Sequence, residues 1–160
     1  MDAALQTNAG RELISFQIGE QEFCVDITSV REIRGFTPAT PVPHAPAYMR
    51  GVINLRGAVM PVIDLGARLG MQTSEPTARH VIIVAKVGDH SVGLVVDAVC
   101  ETFAVTPDQI QPLPELGGEA SKSVVRGFLQ VDERMISLIS LDQILSDSLA
   151  EARAAQAIAA

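Results

Sequence analysis

Residues 49–65, MRGVINLRGAVMPVIDL, decide the fold of this 160-residue chain. The branched side chains favour extended backbone and the pair Arg56-Gly57 supplies a tight turn, so the segment predicts a β-hairpin with strands VINL and AVMPVIDL. Pro61 cannot donate a ladder hydrogen bond, which predicts a sheet edge or a bulge at this residue. The arginine at the hairpin tip has no obvious carboxylate partner close to it in the sequence.

A second copy of this hairpin follows later in the chain. RGVINLRGAVMPVIDL at 50–65 aligns without a gap with RGFLQVDERMISLISL at 126–141, an offset of 76 residues, and the apolar positions coincide. The hairpins that open each half, ELISFQIGEQEFCVDI and HVIIVAKVGDHSVGLVVDAV, correspond in order with small gaps. Strands can resemble one another by chance, but the shared Arg-Gly start and helical finish favour a duplication.

The repeat predicts an all-β fold in which two units of about five short strands curl into small barrels or bent sheets. Such a pair packs about a pseudo-two-fold axis and leaves a groove at the join, where a partner element can bind. Residues 1–10 are expected to be a disordered lead-in and residues 151–160 an Ala-rich helical tail. Residues 11–150 form the domain, with approximate halves 11–70 and 79–140 between which strands could exchange.

Composition excludes several classes of protein. The net charge of −7 argues against nucleic-acid binding, which needs a basic face. No apolar run approaches the roughly 20 residues that span a bilayer, and the N-terminus lacks a signal pattern, so we expect a cytoplasmic protein without membrane insertion. Cys24 and Cys100 lie in apolar strand patterns without CxxC spacing, which favours buried free thiols over a metal or redox pair.

The sequence contains no catalytic constellation. His44, His80 and His90 are scattered and none has a partner at metal-ligand spacing. Asp64 and Asp97 each follow an apolar strand, where capping of the next turn is favoured over catalysis. The glycines form no phosphate-binding loop. We therefore predict no catalytic residue, no metal and no cofactor, and a protein that is not an enzyme.

Three arginines accompany the strands of the first half in an otherwise acidic protein. Arg34, Arg50 and Arg56 could each form a fork-like pair with a partner's carboxylate. The alternative is that they pair with neighbours such as Glu32 or Asp64, and for Arg34 and Arg50 both interpretations stay open. A hairpin tip faces outward and the repeat has an aspartate there, so a partner contact is favoured for Arg56.

These residues carry a family resemblance that runs from about residue 12 to residue 149. The most specific part is the NLRG hairpin. Four stretches, VREIRG (30–35), RGVINLRGAVMPVIDL (50–65), VGLVVDAV (92–99) and PDQIQPLP (107–114), resemble the signature stretches of the CheW family of bacterial chemotaxis coupling proteins. The resemblance implies two five-stranded SH3-like β-barrel subdomains packed around a shared hydrophobic junction, with a C-terminal helix.

The resemblance also implies a non-enzymatic scaffold recruited to receptor arrays. It would join the cytoplasmic tips of methyl-accepting chemotaxis receptors to the regulatory domain of the histidine kinase CheA, as a stand-alone coupling protein. The implied kinase contacts are Gln111, where some relatives have arginine, together with Glu115 and Leu116. The implied receptor contacts are Val30, Glu32, Ile33, Gly51, Asn54, Arg56, Val81 and Val99.

The alternative function is that of a small barrel that binds a ligand or carries a hydrolytic site. Any β-fold with a cleft could provide such a site. Two features of the sequence weigh against it. No catalytic set is present, and the implied groove is rich in valine, isoleucine and arginine. Both features favour the scaffold.

Overall fold

The computed structural model describes residues 11–71, 76–87, 89–112, 125–141 and 144. A four-residue helix, α1, spans Leu65–Arg68, and 3₁₀ turns lie at Ile27–Ser29 and Pro107–Gln109. The described strands are β1 (Arg11–Ile18), β2 (Gln21–Asp26), β3 (Val30–Gly35), β4 (Met49–Leu55), β5 (Ala58–Asp64), β6 (Val81–Val87), β7 (His90–Val96), β8 (Ala98–Val105), β9 (Val125–Val131) and β10 (Arg134–Ile139).

The strands form two five-stranded sheets of the same design. The first sheet has the order β8-β1-β2-β10-β9 and the second the order β3-β6-β7-β5-β4. In each sheet two antiparallel hairpins are joined by one parallel pair, β2 with β10 and β5 with β7. A fifth strand, β8 or β3, pairs antiparallel with the opening hairpin. The predicted fold of two five-stranded units is confirmed.

Each sheet takes strands from both halves of the chain. The opening hairpin β1–β2 lies with β8, β9 and β10, and the hairpin β6–β7 lies with β3, β4 and β5. The chain crosses from the first sheet to the second in the 3₁₀ turn after β2, where Asp26 Oδ1 accepts a hydrogen bond from the Thr28 amide at 3.0 Å. The boundaries predicted for the two halves stay a prediction.

A shared core lies between the sheets, and each sheet also encloses a core of its own. Because successive strand residues point to opposite faces, β1 sends Ile14 and Phe16 to the shared core and Leu13 into the first sheet's own core. This predicted junction is confirmed. We call it the junction core; its buried residues are Ile14, Phe16, Ile18, Phe23, Val25, Ile63, Leu65, Ile83, Ala85, Val92, Leu94, Val96, Ile139, Leu141 and Ile144.

The chain leaves β10 in a helical turn that packs on the junction core. Leu141 and Ile144 are both buried there, and the Ile144 amide donates to the Ser140 carbonyl at 3.3 Å. The rest of the predicted C-terminal helix and the Ala-rich tail lie outside the described residues.

The two copies of the repeated hairpin have the same register. Leu55 lies opposite Ala58 at the tip of β4–β5, and Val131 lies opposite Arg134 at the tip of β9–β10. Both pairings contain a register shift at the same place, next to Met49 in the first copy and next to its counterpart in the second. The alignment found in the sequence is therefore reproduced residue by residue in the backbone.

The expectation for Pro61 was wrong. Strand β5 lies between β4 and β7 and is not an edge strand, and Pro61 pairs regularly with Val52. The parallel pairing with β7 begins only at Val62, opposite Gly93. A residue just before that ladder starts needs no amide donor on that side, so proline is tolerated in an inner strand.

Gly51 should be essential for stability. Its φ is +141°, and an added Cβ would lie 2.1 Å from the Thr40 carbonyl oxygen, in the segment that closes over β4. We expect Gly51→Ala to lower the free energy of unfolding by about 2 kcal/mol or more, through backbone strain and steric overlap. Gly35→Ala is the matched control, because its added Cβ meets nothing within 4 Å. Equal urea midpoints for the two variants would contradict this role.

Candidate functional site

A bulge in β3 decides which of its residues face the junction between the sheets. The register shifts between Val30, which lies opposite Ala85, and Glu32, which lies opposite Val84. Ile33 then lies opposite Ile83. Because Ala85 and Ile83 both belong to the junction core, the shift brings Val30 and Ile33 onto the same face of the strand.

The apolar residues implied for receptor binding gather on this face. Val30, Val81 and Val99 are half-buried and pack against the junction core, although they come from β3, β6 and β8. Ile33 is 44% exposed and continues the apolar surface outward. Three of the four residues thus lie at the partly exposed margin of the junction core, and the fourth is exposed.

The polar residues form a cluster on the other face of β3. Glu32 accepts from Arg56 Nη2 at 2.6 Å and from Arg34 Nη1 at 3.3 Å. The Arg56 side chain is nevertheless 70% exposed. The sequence favoured a partner contact for Arg56 over pairing with Glu32, but the structure shows this pair, because the folded sheet brings Glu32 of β3 to the tip of the β4–β5 hairpin.

Asn54 positions the hairpin tip, and Gly51 lies towards the other end of β4. Asn54 Oδ1 accepts the Gly57 amide at 2.9 Å across the turn. Arg56 and Gly57 have φ values of 52° and 87°, which is typical of a tight hairpin turn. Gly51 is buried, so its part in the site is to let the chain approach β4 closely.

The remaining candidates fall into two groups. Arg50 pairs with the buried Asp64 at 2.9 Å, which settles its open alternatives in favour of a structural pair. Gln111 is exposed and forms a two-way backbone bridge with Phe128 of β9. Glu115 and Leu116, the other implied kinase contacts, lie outside the described residues.

The first sheet contains an equivalent ion-pair cluster that the sequence analysis missed. Arg134 donates to Glu22 at 3.0 Å and to Glu101 at 2.6 Å. Glu101 lies on β8, which pairs with β1 as β3 pairs with β6. Because this arginine occupies a different hairpin position from Arg56, a repeat alignment alone could not have found the correspondence.

The described part of the chain contains no group of three metal-ligating side chains. Within the same residues, no helix is long and apolar enough to cross a membrane. His80, one of the three scattered histidines, pairs with Asp97 at 3.3 Å, and Asp97 also accepts the Gly19 amide at 2.8 Å. Asp97 therefore links the start of β6 to the β1–β2 turn of the other sheet.

Comparison with known proteins identifies related sequences and folds. A family model for the CheW-like domain matches residues 12–149. The "Probable chemotaxis protein CheW" of Rhizobium etli is 61% identical over 142 residues, covering 89% of this chain and 92% of the relative. The "Chemotaxis protein CheW" of Rhizobium meliloti is 57% identical over 146 residues, covering 91% and 94%. The crystal structure of the scaffolding protein TtCheW from Thermoanaerobacter tengcongensis superposes with a TM-score of 0.75 at 30% identity, covering 82% of this chain and 89% of that one.

The Glu32 cluster should be visible in a carboxyl titration. The hydrogen bond from Arg56 is the largest cause that holds the pKa of Glu32 below its ordinary value, and Arg34 adds a smaller contribution. We expect Arg56→Gln to raise the pKa of Glu32 more than Arg34→Gln does, as measured by carbon-detected NMR. The stabilisation from this pair should be present above the unfolded-state pKa and lost as pH falls through the folded-state pKa. A larger effect of Arg34→Gln would show that the pairing is assigned wrongly.

Proposed function

Because the chain belongs to the family of CheW-like domains, we propose that it is a chemotaxis scaffold that couples methyl-accepting chemoreceptors to the histidine kinase CheA. It acts without catalysis, in the cytoplasm, recruited to receptor arrays. The observation that carries the proposal is the set of half-buried apolar residues around the junction core, together with the exposed Arg56 that pairs with Glu32 on β3.

The receptor contact follows from the shape and chemistry of this surface. A receptor tip is a helical hairpin, and an amphipathic helix binds by laying its apolar stripe against an apolar groove. Val30, Ile33, Val81 and Val99 supply the apolar side of that contact. Arg56, at the tip of the β4–β5 hairpin and paired with Glu32 of β3, supplies the polar rim, where a receptor carboxylate or a helix-end carbonyl can accept from its guanidinium.

Glu32 prepares Arg56 for this contact. The ion pair holds the guanidinium at the rim although 70% of the side chain is exposed, so less side-chain freedom is lost on binding. An exposed pair is worth little to the fold itself. The Arg56–Glu32 pair therefore contributes more to the affinity for a receptor than to the free energy of unfolding.

Reversing the charge of Arg56 should separate receptor binding from kinase binding. We expect Arg56→Glu to weaken binding of a receptor-tip fragment about ten- to a hundredfold or more, since a charge-assisted contact is lost and like charges meet. Binding of the isolated CheA regulatory domain should change far less. Calorimetry with each partner measures both affinities.

Arg134→Glu is the matched control for this experiment, because Arg134 forms the corresponding pair on the other sheet. It should leave receptor binding within a few-fold of the wild type. Circular dichroism checks that both variants are folded. Full receptor affinity in folded Arg56→Glu protein would refute the assignment.

The kinase contacts are proposed at the outer face of each sheet. Val59 and Met135, which correspond in the repeat, are 68% and 55% exposed on β5 and β10. Gln111 bridges to β9, the strand that pairs with β10, and its exposure is consistent with its implied role in kinase binding. Two outer faces of unequal sequence can each hold a CheW-like partner, and such heterologous contacts close into rings when the geometry permits.

A stoichiometry measurement tests this arrangement. We expect sedimentation at high concentration to give two regulatory domains for each wild-type chain. Val59→Asp and Met135→Asp should each reduce this to one, because a buried charge disrupts an apolar contact. Ile33→Asp, which also places a charge at an exposed apolar position, should leave the kinase stoichiometry unchanged. A one-to-one wild-type complex at all concentrations would overturn the proposal.

A further inference from the structure

One arginine occurs in both copies of the repeated hairpin but has a different side-chain partner in each. In the first copy, Arg50 Nη2 donates to Asp64 Oδ2 at 2.9 Å, and the Asp64 side chain is only 6% exposed. In the second copy the arginine is kept as Arg126, but Ser140 replaces the carboxylate, and its hydroxyl lies 3.5 Å from Arg126 Nη2. The duplication has therefore kept the cation and removed the anion that neutralises it.

The surrounding backbone is the same in both copies, so the substitution is a change of chemistry and not of fold. Both arginines lie at the register shift of their hairpin. Asp64 caps α1, with Oδ1 accepting the Ala67 amide at 3.2 Å. Ser140 precedes the helical turn that packs on the junction core. Serine and aspartate are both favourable at the start of a helical turn, so the replacement is conservative for the turn but not for the arginine.

The second arginine lines an open cavity of about 570 Å³. The polar wall of the cavity includes Arg11, Thr28, Arg126 and Ser140. Apolar side chains, among them Leu138, line the rest. The cavity thus combines a cation and hydroxyl groups with an apolar surface, and its volume is sufficient for a small molecule or for the side chains of a short peptide.

Among the described residues that line the cavity, Arg11 and Asp26 neutralise each other, and Arg126 has no carboxylate partner. Arg11 Nε donates to Asp26 Oδ2 at 3.1 Å. Burial raises the pKa of Asp26, but hydrogen bonds from Thr28 and the Arg11 guanidinium outweigh this and hold the pKa below its ordinary value. Arg11 and Asp26 therefore form a neutral pair. Among the described residues, Ser140 is the only hydrogen-bond partner of the Arg126 side chain.

We propose that this cavity is a binding site for a carboxylate carried on an apolar group. The carboxylate takes the place that Asp64 occupies in the first copy and pairs with the Arg126 guanidinium, while the apolar group rests on the cavity wall. This ligand can come from a free carboxylic acid or from an acidic side chain of a protein partner. The cavity shares no lining residue with the surface proposed for the receptor, and its Ile110 is next in sequence to Gln111, the residue proposed for the kinase.

An NMR titration of the full chain with sodium butyrate tests the site. We expect saturable shifts of the Arg126 guanidinium signal and of the Thr28 and Ser140 amides. Equal ionic strength of sodium chloride, and the neutral analogue butyramide, should produce no such shifts. Absence of saturable binding in both this titration and the peptide titration described below would overturn the proposal.

Three variants assign the binding to the arginine. Arg126→Gln should weaken binding about tenfold or more, through loss of the charge-assisted contact. Ser140→Asp rebuilds the arrangement of the first copy and should also abolish binding, while aspartate is as favourable as serine at the start of the helical turn. Arg79→Gln removes an exposed arginine outside the cavity and should leave binding unchanged. Unchanged binding in folded Ser140→Asp protein would refute the assignment.

The source of the carboxylate is decided by a second titration with acetyl-Leu-Glu-Leu-amide and its glutamine counterpart. Tighter binding of the glutamate peptide than of butyrate, lost in Ser140→Asp, identifies a protein partner's acidic side chain as the ligand. Binding of butyrate alone identifies a free carboxylic acid. Binding of the glutamine peptide as tight as that of the glutamate peptide would contradict a carboxylate site.

Discussion

The junction core is the constraint on which the rest of the structure depends, because both sheets bury one face in it. The strands of the two opening hairpins are covered on both sides: Ile83 faces the junction core while Ile82 faces the interior of the second sheet. Burial of apolar surface is not directional, so these strands are held by two cores at once. This explains why β6 is an almost unbroken run of apolar residues, whereas a strand covered on one side alternates.

The strands at the edges of the two sheets have to interact with solvent and with partners. Strands β3 and β8 each have only one hydrogen-bonded neighbour in their sheet, and an exposed edge invites unwanted strand pairing. Both edges have a register irregularity in their pairing and both carry an arginine–carboxylate pair, Arg56 with Glu32 and Arg134 with Glu101. These features discourage continuous strand pairing and present charged groups at the sheet edges. A scaffold needs surfaces of this kind, specific for partners but not adhesive along the whole strand.

Duplication followed by local change gives the molecule two similar sheets with different surfaces. The two hairpins agree in register, yet the first copy has a buried carboxylate at position 64 where the second has serine at position 140. Differences of this kind occur at strand ends and leave the two hairpins in the same register. They change what each sheet can bind, which makes the two sides of a pseudo-symmetric protein unequal.

The sequence by itself determined the strands, the hairpin turn at Arg56-Gly57, the repeat at an offset of 76 residues and, through the signature stretches, the family and the two-sheet fold. These features can be predicted from local sequence patterns, because alternating apolar and polar residues indicate the buried face of a strand and glycine indicates a turn. Three features required the tertiary structure: the exchange of opening hairpins between sheets, the pairing of Arg56 with Glu32, and the shift that brings Val30 and Ile33 to one face. The strand that pairs with a given strand depends on the path of the whole chain, and a bulge changes the face to which every later residue points. Neither can therefore be predicted from the alternation of apolar and polar residues along a strand.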